Sequence, residues 1–290
     1  MKKILSIILH PFFKKWIAGR SIETAIFEVK KANALGGKGI INFLGERHAD
    51  QKNVNETVKE YNNLLEAIAR AQLQEPLFKT SISFKVSQFG FDVKEKNVNG
   101  KQLAFENIHA LTKKALTYGV EVEIDSEESE YTEFTLDCYK KLLAEFHGGV
   151  KLCMQSNLVR TEKDLDEVIK VAQQNRLHAP IRIVKGVYPE KQNNYAYQTE
   201  TQKVENFKRI IRMAFENSTF LDISIGTHRQ DIIELAQNLS QEKMVPFELQ
   251  MLKGIKEDLQ KEFLQKQSIT IYIPYGQDSF DYCIRRMKKG

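Results

Sequence analysis

Eight short runs rich in β-branched and aromatic residues recur along this 290-residue chain, and an amphipathic helical stretch follows each. The runs are GIINFLGE (39–46), SISFKVSQ (81–88), VEVEIDSE (120–127), GVKLCMQS (149–156), PIRIVKG (180–186), LDISIGTH (221–228), PFELQM (246–251) and ITIYIPYG (269–276). Strands alternating with helices bury their apolar faces as a parallel sheet with the helices outside. Eight such units predict an α/β fold, a (β/α)8 TIM-type barrel. The active face of such a barrel lies at the C-terminal ends of its strands. Glu46, Lys85, Asp125, Gln155, Arg182, Lys185, His228 and Tyr272 fall at or near those ends.

The length accommodates one barrel of about 250 residues and a short extension. The expected division is an N-terminal helical extension, 1–38, and the barrel, 39–290. Within the extension Ser21 is a plausible N-cap, Ala25, Val29 and Ala32 continue an apolar stripe, and Gly36-Gly37 stop the helix. This helix is expected to pack on the bottom or side of the barrel. The stretch before it, MKKILSIILHPFFKKWIAG, is broken by His10 and Pro11. It reads as a packing or peripheral segment with no membrane span. The longest irregular stretch, KGVYPEKQNNYAYQ (185–198), follows the fifth run and is a candidate lid or ligand clamp.

Several classes are disfavoured. A net charge of +5 without a dense Lys/Arg run does not make a nucleic-acid arm. Cys138, Cys153 and Cys283 are odd in number and far apart, so neither a disulfide framework nor a metal site is expected, and a reducing cytoplasm fits. There is no GxGxxG, Walker or HExxH spacing.

What remains is polar chemistry at strand ends. Lys85 stands in an otherwise apolar strand, which is costly unless it faces a polar cavity. Asp125, ending the next strand, is its expected partner, as a catalytic pair or an interior ion pair. Gln155 and Arg182 offer donors for a planar heteroaromatic ligand or an anion. Lys185-Gly186 sets a cation beside backbone that a ligand can approach closely. Thr227-His228 sits at a strand-to-helix turn, where backbone N–H groups favour phosphate. Together these point to a large, anionic, partly aromatic cofactor over strands four to six. On the last helix Tyr282, Arg285, Arg286 and Lys289 share one face. They suit a substrate carboxylate by bidentate pairing, or simply a basic turn favoured by the helix dipole.

The motifs LGE (44–46), ISFKVSQFG (82–90), EIDSEESEYTEFTLDCY (123–139), VKLCMQSNLVRTEKDL (150–165), IRIVKGVYPE (181–190), IGTHRQ (225–230), FELQMLKG (247–254) and YIPYGQDSFDYCIRRM (272–287) resemble the flavin-dependent proline dehydrogenases, in order and over nearly the whole chain. The resemblance is to the monofunctional bacterial type. It implies FAD on a distorted (β/α)8 barrel, oxidation of L-proline to 1-pyrroline-5-carboxylate, and electrons passed to a membrane quinone, with peripheral membrane contact. It implies that Arg182 faces the flavin N5 region and Gln155 the pyrimidine edge. Lys185, Gly186, Val187 and Tyr188 would form the loop around flavin and pyrophosphate, and Thr227 and His228 would hold the cofactor. Lys85, Arg285 and Arg286 would hold the substrate carboxylate, with Asp125 orienting Lys85. Tyr272 and Tyr282 would pack on the substrate ring, and Glu46 would pair with Arg285 as a gate. The chain departs from the family pattern at Val187, Lys289, Asn157, Arg229 and Ser279. Those departures leave room for another cyclic or secondary amino acid as substrate, or for a catalytically silent flavin-binding relative.

Overall fold

The computed structural model describes residues 15–190, 194–266 and 269–287. The expectations about His10, Pro11 and Lys289 lie outside the described residues. Along the chain come α1 (Ile22–Ala34), β1 (Lys38–Phe43), α2 (Gln51–Gln74), β2 (Thr80–Lys85), α3 (Gly100–Thr117), β3 (Val122–Asp125), α4 (Ser129–Phe146), β4 (Val150–Gln155) and α5 (Thr161–Asn175). β5 (Ala179–Val184), α6 (Glu200–Glu216), β6 (Leu221–Gly226), α7 (Gln230–Lys243), β7 (Glu248–Leu252), α8 (Glu257–Lys266), β8 (Ile269–Tyr275) and α9 (Phe280–Met287) follow. The eight strands form a closed barrel in sequence order, with β1 pairing in parallel with β2 and β8, and β3 to β7 each in parallel with the next. This is the (β/α)8 fold that the alternation predicts.

The chain divides into two compact units, Met1–Val120 with Met251–Gly290, and Glu121–Gln250. In the first, β1 pairs with β2 and with β8, setting Ile41 against Ile82 and Ile273. α2 buries Val54, Tyr61, Leu64, Leu65, Ile68 and Ala71, a stripe at three- and four-residue spacing. Its N-cap Asp50 accepts from the Asn53 amide at 2.8 Å. Tyr61 packs on Phe43, Phe84 and Phe89, with ring centroids 5.6–6.2 Å apart, and donates its hydroxyl to the Ser83 carbonyl at 2.8 Å.

The residues ahead of α1 reach the end of β8. Ser21 is the N-cap of α1, as its position predicts, although its side chain makes no capping bond. Just ahead of it, the Ala18 amide donates to Pro274 at 2.8 Å, and the Gly276 amide to Gly19 at 3.0 Å. Ala18 and Gly19 are therefore tied to the C-terminal end of β8. Ile17 is buried there with Leu44, Tyr282 and Cys283, and Trp16 and Phe280 pack against them.

In the second unit β3 to β7 lie side by side. Their register sets Glu123 against Lys151, Cys153 against Arg182, and Ser224 against both Arg182 and Glu248. The irregular stretch after β5 is pinned at several points. Leu158 and Ala196 form an antiparallel bridge, and the Val159 amide donates to Tyr195 at 3.0 Å. The Glu190 carboxylate accepts from the Ser129 amide at 3.2 Å, placing an anion at the N-terminus of α4. The three cysteines are buried and free. Burial raises the Cys138 and Cys283 thiols to about 12.

Candidate active site

The first unit gathers cations around a carboxylate. Lys85 ends β2 with its side chain buried, and its backbone amide donates to Gln88 Oε1 at 2.9 Å. Gln88, wholly buried, also donates to the Phe43 carbonyl at 2.8 Å, tying the ends of β1 and β2 together. Lys85 Nζ lies 3.7 Å from Glu46 Oε1. Glu46 receives both arms of Arg285, Nη2 at 2.5 Å and Nη1 at 3.3 Å. One carboxylate thus sits against an ammonium and a guanidinium fork, the geometry of a strong charge-assisted pair. On the same helix the Arg286 guanidinium lies 4.8 Å from the Tyr282 ring centroid. The Tyr282 hydroxyl and Arg286 Nε are both buried without a hydrogen-bond partner. Tyr272 is half-buried in β8, and its carbonyl accepts from Lys253 at 3.0 Å.

The second unit gathers the remaining residues. Arg182, buried in β5, donates through Nη2 to Asp125 and through Nη1 to Glu123 at 3.0 Å and to Gln250 at 3.3 Å. Gln155 ends β4; its amide donates to the Glu127 carbonyl at 2.6 Å and its oxygen accepts from the Val187 amide at 3.4 Å. Gly186 has φ +101, outside the range that side-chain-bearing residues adopt readily. A Cβ there would lie 1.9 Å from Asn157 Oδ1, a buried acceptor with no partner. Lys185 Nζ contacts Glu200 at 2.5 Å, and that bond holds the Glu200 carboxyl below its ordinary range. Tyr188 and Thr227 are buried, and Val187 and His228 half-buried. Thr227 Oγ1 accepts from the Arg229 amide at 3.2 Å.

The structure modifies one expected pairing. Asp125 is the partner expected for Lys85; the ion pair at Lys85 is with Glu46, and Asp125 is engaged by Arg182. The expected Glu46–Arg285 pair is present. Glu123, Lys151, Glu248 and Gln250 escape the sequence reading, yet the signal is there. Glu123 stands two residues before Asp125 and so on the same strand face, and Lys151 interrupts an apolar strand as Lys85 does. Burial raises the Glu123 carboxyl above its ordinary range, against the pull of Lys151 and Arg182. Among the described residues no cluster of metal-ligating side chains occurs.

A closed parallel barrel with buried ionic side chains at its strand ends is the layout of a (β/α)8 enzyme. A family model described as Proline dehydrogenase matches residues 25–289. Proline dehydrogenase 1 of Bacillus subtilis (strain 168) is 31% identical over 278 residues, covering 94% of this chain and 85% of that protein. The proline dehydrogenase of Deinococcus radiodurans is 30% identical over 284 residues, covering 94% and 84%. The chain belongs to the proline dehydrogenase family and is an oxidoreductase. The crystal structure of proline utilization A from Bdellovibrio bacteriovorus inactivated by N-propargylglycine superposes with a TM-score of 0.86 at 19% identity, over 96% of this chain. This chain spans 32% of that longer one, and the likeness concerns the fold.

Proposed function

We propose that this chain oxidises L-proline to 1-pyrroline-5-carboxylate with non-covalent FAD as the electron acceptor, and passes the electrons to a quinone. Membership of the proline dehydrogenase family supports oxidation of proline. The observation that carries the substrate side is the Glu46 carboxylate held by Lys85 and Arg285. Two cations arranged around one carboxylate are suited to another, that of the substrate. In this reading Glu46 is the gate, giving up Arg285 when proline enters. Arg286 completes the carboxylate clamp, and Tyr272 and Tyr282 line the substrate ring. Fixing the carboxylate at three cations orients the ring carbon that loses hydride. The same positive field favours the neutral substrate amine, because like charge disfavours its protonated form.

The second unit fits a flavin. Asn157 Oδ1 is a buried acceptor without a partner, and its side chain lies so close to Gly186 that only glycine fits there. Arg182, Gln155, Lys185, Gly186, Val187, Tyr188, Thr227 and His228 would hold the cofactor by donors, a cation and closely approachable backbone. The flavin supplies the redox chemistry; the protein binds, orients and tunes it. Asp125 acts here by fixing Arg182. We further propose that residues 1–38 serve as an extension of a catalytic barrel, 39–290. We place the protein in the cytoplasm with peripheral contact to the membrane that carries the quinone. No described helix is long and apolar enough to cross a membrane.

The test is an absorbance spectrum of purified protein, FAD-reconstituted if necessary, before and after anaerobic L-proline. The expected result is a flavin spectrum that bleaches. Failure to bind FAD sinks the cofactor assignment. Binding without bleaching by proline, but with bleaching by another imino acid, moves the substrate assignment.

A further inference from the structure

We propose that Glu123 is a positioning residue: from inside the sheet it holds the Arg182 guanidinium and sets the charge that Arg182 presents to a bound flavin. This rests on the flavin reading above and goes beyond it by assigning a residue outside the cofactor's own contacts.

The geometry is a chain of alternating charge across β3 to β7. Ser224 Oγ donates to Glu248 Oε2 at 2.8 Å. Lys151 Nζ lies 2.5 Å from that same oxygen and 3.7 Å from Glu123 Oε1. Glu123 Oε2 accepts from Arg182 Nη1 at 3.0 Å, and Asp125 accepts from Nη2. Gln250 closes the corner, accepting from Arg182 Nη1 at 3.3 Å and donating to both Glu123 oxygens at 3.2 and 3.3 Å. Glu123, Asp125, Arg182 and Gln250 are each at most 5% exposed.

A purely structural role explains this poorly. A buried ion pair is weak support for stability, since desolvation of both charges offsets their attraction. Asp125 already anchors one arm of the guanidinium. The second carboxylate fixes the other arm, so the fork is held in its plane, and in its ionised form it adds a negative charge directly on Arg182. In the interior such a charge is felt far more strongly than in water. Reduction adds negative charge to a flavin, so its potential reads the net charge beside it. Neutralising Glu123 therefore favours the reduced form, and neutralising Lys151, which balances Glu123 from its far side, disfavours it.

The test compares the reconstituted parent with Glu123→Gln and Lys151→Gln. The midpoint potential of the bound flavin is expected to move up in Glu123→Gln and down in Lys151→Gln. The apo proteins give a readout independent of catalysis. Because burial raises the folded Glu123 carboxyl, its share of stability is fully present below the unfolded value of about 4.3 and is lost as pH rises through the folded value. Apo Glu123→Gln should accordingly gain melting temperature on the parent as pH rises. If Glu123→Gln does not fold, Lys151→Gln alone decides by the sign of its shift. Potentials equal to the parent's in folded variants, or shifts of the same sign, overturn the assignment. A parent that binds no FAD sinks the cofactor reading and this inference with it, whereas a parent that binds with unmoved variants sinks only the role of Glu123.

Discussion

At the scale of single residues the arginines of α9 separate two kinds of cation. Arg285 is committed to a carboxylate by both arms, and Arg286 lies over an aromatic ring with Nε left over. Lysine at 285 keeps the charge but loses the fork, and a point charge does not replace bidentate recognition. Arg285→Ala should weaken proline binding by about 2–5 kcal/mol, read as a raised KM, and Arg285→Lys should fall between it and the parent. An unchanged KM in both variants would remove Arg285 from substrate binding. The cations were legible in the sequence because charge at a predicted strand end, or doubled on one helix face, has few structural uses. Their partners were less legible. Nothing in the spacing of Lys85 and Asp125 distinguishes a Lys85–Asp125 pair from the observed Lys85–Glu46 and Asp125–Arg182 pairs, because partner choice depends on side-chain reach and loop path.

At the scale of elements, the strands and helices follow the sequence pattern closely, since β-branched runs and three-to-four spacing each report a local period. Helix ends are decided by single caps, which no period reports. α3 starts at Gly100 because Asn99 accepts from the Gln102 amide at 3.2 Å, and α7 runs on to Lys243 before Met244 turns left-handed. The loop after β5 depends on Gly186 in the same way. Alanine there must take φ +101 and meet Asn157 Oδ1 at 1.9 Å. Strained backbone of this kind costs about 1–3 kcal/mol, and Asn157, whose amide donates to Lys185 at 2.9 Å, has little freedom to retreat. Gly186→Ala should lower the melting temperature and weaken FAD binding. Adding Asn157→Ala should restore only the part owed to the clash. Full recovery in the double variant would mean that backbone strain contributes nothing, and no loss in the single variant would mean that the loop adjusts freely.

At the scale of the whole chain, the described N-terminal segment and the last described helix meet. No sequence period announces such a contact, because it joins residues more than 250 positions apart. Ile17 is buried against Leu44, Tyr282 and Cys283, and Leu44 sits two residues before Glu46 in the β1–α2 connection. Ile17 and Trp16 thus back both the helix that carries Arg285 and the loop that carries its carboxylate partner. Truncating a buried isoleucine to alanine costs about 2–5 kcal/mol, and here the loss falls on α9 first, since α9 is short and Tyr282 and Cys283 are its buried side chains in this cluster. Trp16 is the single tryptophan and packs on this cluster, so its emission reports α9 docking without added probes. Ile17→Ala should red-shift Trp16 emission at temperatures where far-ultraviolet circular dichroism still shows a folded barrel, and should raise KM for proline more than it lowers kcat. If emission and ellipticity instead change together in one transition, with KM at the parent's value, the N-terminal segment stabilises the fold as a whole and has no particular hold on the carboxylate clamp.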